Sequence, residues 1–245
     1  MHPLLSLRHI SLTIQEHQIL NNVSFNVKQG EIVGLIGPNG SGKTTLFNVL
    51  SGFMKPTNGS VKYKGKVITS LAPSARARLG IGRVFQNFGI FREMTLEENV
   101  LVALEALPKK QRQQIGNLSD TVAATLDMAG LKSHAKKKAG SLSGGQMRLL
   151  EIARTLKCGK DLFLLDEPTA GVSPKMTHQI ADIINALKTE GKTVLIIEHD
   201  LPFISKICDR VIVLDVGEIV LEGKPTEVQQ SKELKEIYFG ADPAT

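Results

Sequence analysis

The stretch GPNGSGKTT, from Gly37 to Thr45, decides the fold of this chain. It matches the phosphate-binding pattern GxxxxGK(S/T), with Gly37, Gly42, Lys43 and Thr44 at the four specified positions. The residues just before it, EIVGLI, form an apolar run typical of a buried strand, and those just after it have the apolar spacing of a helix. A strand, a glycine-rich loop and a helix in this order predict a loop that cradles phosphate.

In such a loop the glycines let successive backbone N–H groups turn toward phosphate oxygens, and the helix N-terminus adds partial positive charge. Lys43 is predicted to hold the β and γ phosphates of a nucleotide, and the hydroxyl of Thr44 to bind Mg²⁺. The plainer alternative is a glycine turn that only joins strand to helix, which the complete pattern disfavours. The predicted nucleotide-binding residues of the loop are Gly37, Pro38, Asn39, Gly40, Ser41, Gly42, Lys43, Thr44 and Thr45.

Composition indicates a globular protein of one domain, since 245 residues with 42% apolar and 22% charged residues can bury a substantial core. No apolar run approaches the roughly 18 residues needed to cross a bilayer, and the first residues lack the apolar core of a signal peptide. We therefore expect a cytosolic protein. Cys158 and Cys208 have no metal-ligand spacing, suit a reducing compartment and are interpreted as small apolar residues.

The net charge of +6 is compatible with phosphate-rich ligands, an anionic membrane surface or nucleic acid. The densest basic run, Lys136 to Lys138, is typical of a solvated surface. Aromatic residues, which a groove for single strands requires, do not interleave it. We therefore expect no nucleic-acid partner.

The order of patterns predicts an α/β fold: a P-loop NTPase core with a mostly parallel sheet, an antiparallel β layer and a helical subdomain. Alternating apolar residues at 5–14 and 23–27, and a hairpin around Gly65, predict the antiparallel layer. We expect a single domain over 1–245, in which a helical subdomain at about 88–156 is inserted between core segments 1–87 and 157–245. Further predicted elements are a helix capped by Thr95 and Glu98, helices at 119–130 and 174–190, strands at 162–166 and 193–198, a hairpin at 211–223 and a short charged C-terminal helix.

Two carboxylates end the apolar strand LFLLDE, where such a sheet presents residues to its ligand. Asp166 is predicted to organise Mg²⁺, and Glu167 to orient or deprotonate the attacking water. Taken alone, this run is equally compatible with a strand that enters a turn. The complete phosphate-binding loop favours the catalytic interpretation.

A second apolar strand ends at His199, and one intervening helix would bring this histidine to the same edge of the sheet as Glu167. There it could contact the γ-phosphate or the attacking water. Gln86, in RVFQNFG, is a weaker candidate, whose amide could contact Mg²⁺ or water at a hinge before the helical insert.

A second helix start, LSGGQMR, places Ser143, Gly144, Gly145 and Gln146 ahead of an apolar stretch with helical spacing. It is either an ordinary serine-capped helix or a second phosphate-binding helix N-terminus. Two such starts with one carboxylate pair indicate two nucleotides, or one nucleotide shared between two chains. Spacing does not decide between these alternatives.

Together, GPNGSGKTT, Gln86, LSGGQ, LFLLDEP and His199 resemble the ATP-binding subunit of an ABC transporter over essentially the whole chain. The resemblance implies a head-to-tail dimer with an identical or paralogous ATPase subunit, in which Ser143, Gly144 and Gly145 of one subunit close over ATP held by the other. It implies Glu167 as general base, Asp166 and Thr44 as Mg²⁺ residues, and Gln86 as the link to transmembrane permease subunits. Such a protein is cytoplasmic and peripheral on the inner face of the plasma membrane.

Within that family, RVFQNFGIFREMTLEENV and DEPTAGVSP are most similar to the ATPases of branched-chain amino acid importers. The lipopolysaccharide-export ATPase is similar in several stretches, notably SARARLGIG. A soluble ABC-type ATPase acting on nucleic acid or ribosomes is the alternative of another class, which a second ATPase half or a long coiled-coil insertion would favour. A P-loop kinase of small molecules is a weaker alternative, which would not need LSGGQ.

Two positions depart from the family pattern. Ile14 stands where an aromatic residue usually stacks on adenine, giving an apolar contact without π stacking. Ser173 replaces the aspartate common after the catalytic glutamate, and with Pro174 it forms a favourable N-cap and N1 pair for the next helix.

Overall fold

The computed structural model describes residues 3–84, 89–157 and 160–239. Two sheets organise these residues: a four-stranded antiparallel sheet of order β2-β1-β4-β5 and a six-stranded sheet of order β10-β9-β3-β8-β7-β6. The strands are β1 (Leu5–Ile14), β2 (His17–Val27), β3 (Ile32–Ile36), β4 (Asn58–Tyr63), β5 (Lys66–Val67), β6 (Ile81–Val84), β7 (Leu162–Asp166), β8 (Thr193–Ile197), β9 (Arg210–Asp215) and β10 (Glu218–Gly223).

The larger sheet is parallel from β9 to β6, and β10 joins its edge as an antiparallel strand. Every residue of β3, β7 and β8 is buried, which explains why these strands are continuous apolar runs rather than alternating ones. Because the strands are parallel, β3, β7 and β8 direct their carboxyl ends to one edge. This edge carries the phosphate-binding loop, the carboxylate pair and His199.

The antiparallel sheet packs over one face of the larger sheet. Side chains of both sheets and of the helix after the phosphate-binding loop form one apolar cluster, which includes Phe25, Leu46, Phe47, Leu164 and Leu195. The α/β fold with an antiparallel layer is thus confirmed. Gly59 lies within β4, where its φ of +93° and close approach to the His9 backbone mark a local distortion of the strand.

Helices cover the other face of the larger sheet. Their apolar side chains and those of the sheet form a second apolar cluster, which continues into the helices of the predicted insert. The helices are α1 (Lys43–Ser51), α2 (Pro73–Leu79), α3 (Leu96–Glu105), α4 (Lys109–Gln114), α5 (Leu118–Met128), α6 (Gly144–Leu156), α7 (Pro174–Thr189), α8 (Leu201–Ile207), α9 (Pro225–Gln230) and α10 (Lys232–Phe239). Within the described ranges, no helix is long and apolar enough to span a membrane.

The capping box of Thr95 and Glu98 is confirmed at the start of α3. Helix α5 begins at Leu118, one residue earlier than expected, and the side chain of Asn117 caps it. Helices α3 to α6 occupy the stretch predicted for the helical subdomain. Its boundaries near residues 88 and 156 stay a prediction, and Phe88 lies outside the described residues.

The sequence patterns missed α2, β6, α4 and α8, and the C-terminal stretch forms two helices instead of one. Helix α2 has a tertiary cause, since its Arg76 is almost fully buried and donates hydrogen bonds to backbone carbonyls of Val49, Leu50, Thr69 and Leu71. A short helix stabilised by one buried arginine shows no periodic apolar pattern in the sequence from which it could be predicted.

Cys208 is buried, and burial raises the pKa of its thiol, as expected of a small apolar residue. Cys158 lies outside the described residues. The run Lys136 to Lys138 is exposed, as predicted.

Candidate nucleotide-binding site

The phosphate-binding loop links the end of β3 to the start of α1, as the sequence predicted. Gly37, Gly40 and Gly42 have φ values of +149°, +83° and +102°, which favour glycine. At Gly37 an added Cβ would lie 1.9 Å from the backbone oxygen of Leu214. The first glycine is therefore required by close packing against β9 as well as by its backbone angle.

The side chain of Lys43 folds over the loop and is buried. Its Nζ donates hydrogen bonds to the carbonyl oxygens of Gly37 and Pro38, each at 2.8 Å. Burial lowers the pKa of Lys43, and the negative charges of Glu167 and Asp166 oppose that effect. The ammonium is thus held at the centre of the loop and within the field of the carboxylate pair.

The loop residues fit a phosphate group. Ser41 is only 3% exposed, yet its buried Oγ atom has no hydrogen-bond partner among the described residues. A buried hydroxyl without a partner is costly, and a phosphate oxygen would satisfy it. Thr44 is exposed and Thr45 half-buried at the start of α1. The hydroxyl of Thr44 and the carboxylate of Asp166 are hard oxygen donors of the kind Mg²⁺ prefers.

Asp166 ends β7 and is buried. Its Oδ2 accepts a hydrogen bond from Nη2 of Arg83 at 3.1 Å. Burial raises the pKa of Asp166, and the positive charge of Arg83 opposes the rise. Sequence reasoning missed Arg83, because only the pairing of β6 with β7 brings this arginine beside the aspartate.

Glu167 and His199 meet at the carboxyl edge of the sheet, where Nε2 of His199 lies 2.9 Å from Oε1 of Glu167. The adjacency of β7 and β8 produces this contact. The spacing predicted that the two residues share an edge of the sheet, but not that they contact each other. Glu167 has a φ of +47°, which is uncommon for a residue with a side chain. Strained backbone of this kind concentrates at functional sites, and here it accompanies the side chain predicted to act on water.

The neighbouring Glu198 is a site residue that sequence reasoning missed. Its carboxylate is buried and accepts hydrogen bonds from the amide of Thr169 at 2.7 Å, the hydroxyl of Thr169 at 2.5 Å and the amide of His199 at 3.1 Å. It thereby ties the loop after Glu167 to the histidine. The only sequence signal was a carboxylate at the end of an apolar strand.

The LSGGQ stretch forms the N-terminus of α6. Ser143 and Gln146 make a capping box: the Ser143 Oγ accepts from the Gln146 amide at 3.3 Å, and the Gln146 Oε1 accepts from the Ser143 amide at 3.0 Å. A Cβ at Gly145 would lie 2.3 Å from Sδ of Met176 on α7. Gly145 therefore packs against α7 and the loop before it, whereas Gly37 and Gly42 pack against β9 and β2.

Ile14, Ser173 and Gln86 are three further positions that the sequence analysis singled out. Ile14 is the last residue of β1 and is 40% exposed. Ser173 and Pro174 occupy the N-cap and N1 positions of α7, as predicted, although the hydroxyl of Ser173 makes no capping bond. Its backbone oxygen accepts from the amide of Thr177 instead. Gln86 lies outside the described residues.

A glycine loop built for phosphate, beside a carboxylate that a histidine contacts, is the arrangement of a P-loop nucleoside triphosphatase. The sequence profile of the ABC transporter family matches residues 20–170, and the chain belongs to that family. It is an ABC ATPase subunit and binds nucleotide.

Relatives with curated names support this assignment over nearly the whole chain. The high-affinity branched-chain amino acid transport ATP-binding protein LivG of Salmonella typhimurium is 38% identical, covering 97% of this chain and 98% of LivG. The lipopolysaccharide export system ATP-binding protein LptB of Acidithiobacillus ferridurans is 35% identical over 98% of each chain. The ADP conformation of MJ1267, an ATP-binding cassette of an ABC transporter, superposes with a TM-score of 0.86 at 35% identity, covering 98% of this chain and all of that one.

Proposed function

We propose that this chain hydrolyses ATP to drive a branched-chain or neutral amino acid importer whose membrane-spanning subunits are separate chains. The contact between Glu167 and His199, beside a loop shaped for phosphate, carries the hydrolytic part of the proposal. The similarity to LivG supports the substrate class. The protein would act at the cytoplasmic face of the inner membrane.

In the proposed mechanism Glu167 takes a proton from the attacking water and His199 holds the carboxylate in position. The two residues suit these roles because Nε2 of His199 is within hydrogen-bond distance of Oε1 of Glu167. Lys43 stabilises negative charge on the β and γ phosphates. Thr44, Asp166 and Gln86 would hold Mg²⁺, which supplies charge neutralisation at the phosphates.

The nucleotide would be shared between two subunits. Ser143, Gly144 and Gly145 of a partner ATPase, either a second copy or a close paralogue, would close over the γ-phosphate. The capping box supports this role, because it fixes the backbone of a 13-residue helix whose N-terminus attracts anions. ATP would then join the subunits and hydrolysis would release them, since only the intact nucleotide fills both half-sites.

Permease subunits would dock in a groove between the sheet and the helical insert. This groove has a volume of 480 Å³ and a mainly apolar lining, which includes Phe53, Phe91 and Val102 together with the basic residues Arg154 and Lys160. Phe53 and Phe91 are 56% and 49% exposed, which is unusual for phenylalanine. A permease segment with one apolar face and an acidic residue complements this lining.

Phe91→Asp tests the groove, because a charge placed there should prevent docking. We expect the membrane subunits to be lost when the variant is purified from membranes, while ATP binding is retained. Val220→Asp, on the exposed edge strand β10 where Val220 is 45% exposed, is the matched control and should keep them. Co-purification with Phe91→Asp at the wild-type level would exclude this docking site.

Lipopolysaccharide or lipid export is the second candidate function, since LptB is similar over 98% of the chain. Purification of the native complex identifies the membrane subunits. Reconstitution into proteoliposomes then measures ATP-dependent uptake of labelled leucine, with a Lys43→Ala complex as the inactive control. Leucine uptake is the expected result, and extraction of lipopolysaccharide without leucine uptake would establish the second candidate instead.

A further inference from the structure

The guanidinium group of Arg83 connects three elements of the core. Its Nη2 donates to Oδ2 of Asp166 at 3.1 Å, on β7. Its Nη1 donates to Oδ1 of Asn48 at 2.7 Å and to Oγ of Ser51 at 2.8 Å, both on α1. Because α1 begins at Lys43, one side chain on β6 ties the helix of the phosphate-binding loop to the buried aspartate.

The surroundings of Arg83 restrict its side chain to this arrangement. The side chains of Arg83 and Asp166 are only 7% and 5% exposed, so neither charge has bulk water as an alternative partner. The guanidinium carbon lies 5.9 Å from the ring centroids of both Phe47 and Phe53, at a distance where a cation is attracted to an aromatic face. A buried pair of this kind costs desolvation free energy, so it is weak evidence for a stabilising role.

We propose that Arg83 is a positioning residue for the metal site: by holding Oδ2 of Asp166, it fixes the orientation in which the carboxylate meets Mg²⁺. The inference rests on the proposed role of Asp166. Groups that orient a metal-binding carboxylate typically contribute about 10–100-fold to metal affinity. Arginine suits the task, because its planar fork serves the carboxylate and the two α1 oxygens simultaneously, which a lysine ammonium cannot do in the same geometry.

The test is equilibrium binding of a non-hydrolysable fluorescent ATP analogue to the full chain during a Mg²⁺ titration. Arg83→Met removes the fork and keeps an apolar stem. We expect it to raise the Mg²⁺ concentration at half-saturation by about 10-fold or more. Binding of the same analogue in EDTA should match wild type. A weakening in EDTA as large as that with Mg²⁺ would indicate a merely structural role and would overturn the proposal.

Arg76→Met is the matched control, since Arg76 is buried even more fully than Arg83 and also braces α1 through Val49 and Leu50. Within the described residues, the hydrogen bonds of its guanidinium all go to backbone carbonyls. We expect a lower melting temperature for Arg76→Met with the wild-type Mg²⁺ midpoint. An equal shift of the midpoint in this variant would show that loss of any buried brace suffices.

Asp166→Asn separates the two proposals. An unchanged Mg²⁺ midpoint in Asp166→Asn overturns both the metal role of Asp166 and the inference about Arg83. A raised midpoint in Asp166→Asn with a wild-type midpoint in Arg83→Met overturns the inference alone. If Arg83→Met does not fold, Arg83→Lys keeps the charge without the fork, and a wild-type midpoint in that variant also contradicts the proposal.

Discussion

Nε2 of His199 lies 2.9 Å from Oε1 of Glu167, although the two residues follow different strands of the sheet, Glu167 after β7 and His199 after β8. The parallel pairing of β7 with β8 brings them together, and Glu167 has a positive φ of +47° directly after β7. Each side chain therefore restricts the position of the other.

Glu167→Gln should lower ATP turnover by about 10²–10⁴-fold, because glutamine cannot accept the proton of the attacking water. ATP binding should persist, so that an ATP-bound dimer accumulates. Phosphate release measures turnover, and size-exclusion chromatography with ATP measures the dimer. Glu190→Gln, which alters an exposed carboxylate at the end of α7, is the control and should hydrolyse ATP at the wild-type rate. Wild-type turnover in Glu167→Gln would exclude Glu167 as the base.

Glu198→Ala should lower kcat by about 10-fold and leave the KM for ATP nearly unchanged, because misplacement of catalytic groups by 1 Å can cost up to about 10²-fold. The change removes the carboxylate that joins Thr169 to His199 and does not touch the phosphate-binding loop. Glu198→Gln should lie between wild type and alanine, since one oxygen remains for Thr169. Steady-state kinetics of wild type and the two variants measure kcat and KM. A raised KM with wild-type kcat would contradict the positioning role of Glu198.

Ser143→Arg should abolish dimer-dependent hydrolysis while the isolated subunit still binds ATP, because the arginine would fill the space needed by the partner's γ-phosphate. Asn117→Arg is the control: it also removes a helix N-cap, worth about 1 kcal/mol, but at the start of α5. We expect Asn117→Arg to dimerise and hydrolyse ATP. Normal hydrolysis by Ser143→Arg as a dilute monomer would exclude a site shared between chains.

Gly37→Ala should destroy nucleotide binding and destabilise the fold, since its Cβ would lie 1.9 Å from the backbone oxygen of Leu214. Gly40 also has a positive φ, which strains an alanine there, but no heavy atom lies within 4 Å of the added Cβ. We expect Gly40→Ala to lower the free energy of unfolding only by the cost of the backbone strain, about 1–3 kcal/mol. Chemical denaturation and ATP-analogue binding measure both effects. Equal losses in the two variants would show that φ, rather than packing on β9, dictates the glycine.

Much of the fold could be predicted because the strands of the larger sheet are apolar runs with clear ends. The fully buried β3, β7 and β8 have unambiguous patterns, and the capping box at Thr95 fixes a helix start. Helix α2 could not be predicted in this way. Its stability comes from the buried guanidinium of Arg76, whose partners are carbonyls contributed by other parts of the chain.

Within the candidate site the same division holds. Lys43, Asp166, Glu167 and His199 are recognisable because a loop or strand end fixes the spacing of each. Arg83 contacts Asp166, 83 residues away, and Glu198 contacts Thr169, 29 residues away. No local sequence pattern predicts either partner. The roles assigned to all these residues stay predictions for the experiments above.

The sequence by itself determined the phosphate-binding loop and the family, and it predicted the carboxylate pair, since glycine angles, backbone N–H groups and strand ends act over a few neighbouring residues. Only the tertiary structure decided that Leu214 closes over Gly37, that Arg83 holds Asp166 and that Glu198 joins Thr169 to His199. The physical reason is the sheet order β9-β3-β8-β7-β6, which makes neighbours of strands far apart in sequence. Side chains at their ends meet only once the sheet has formed.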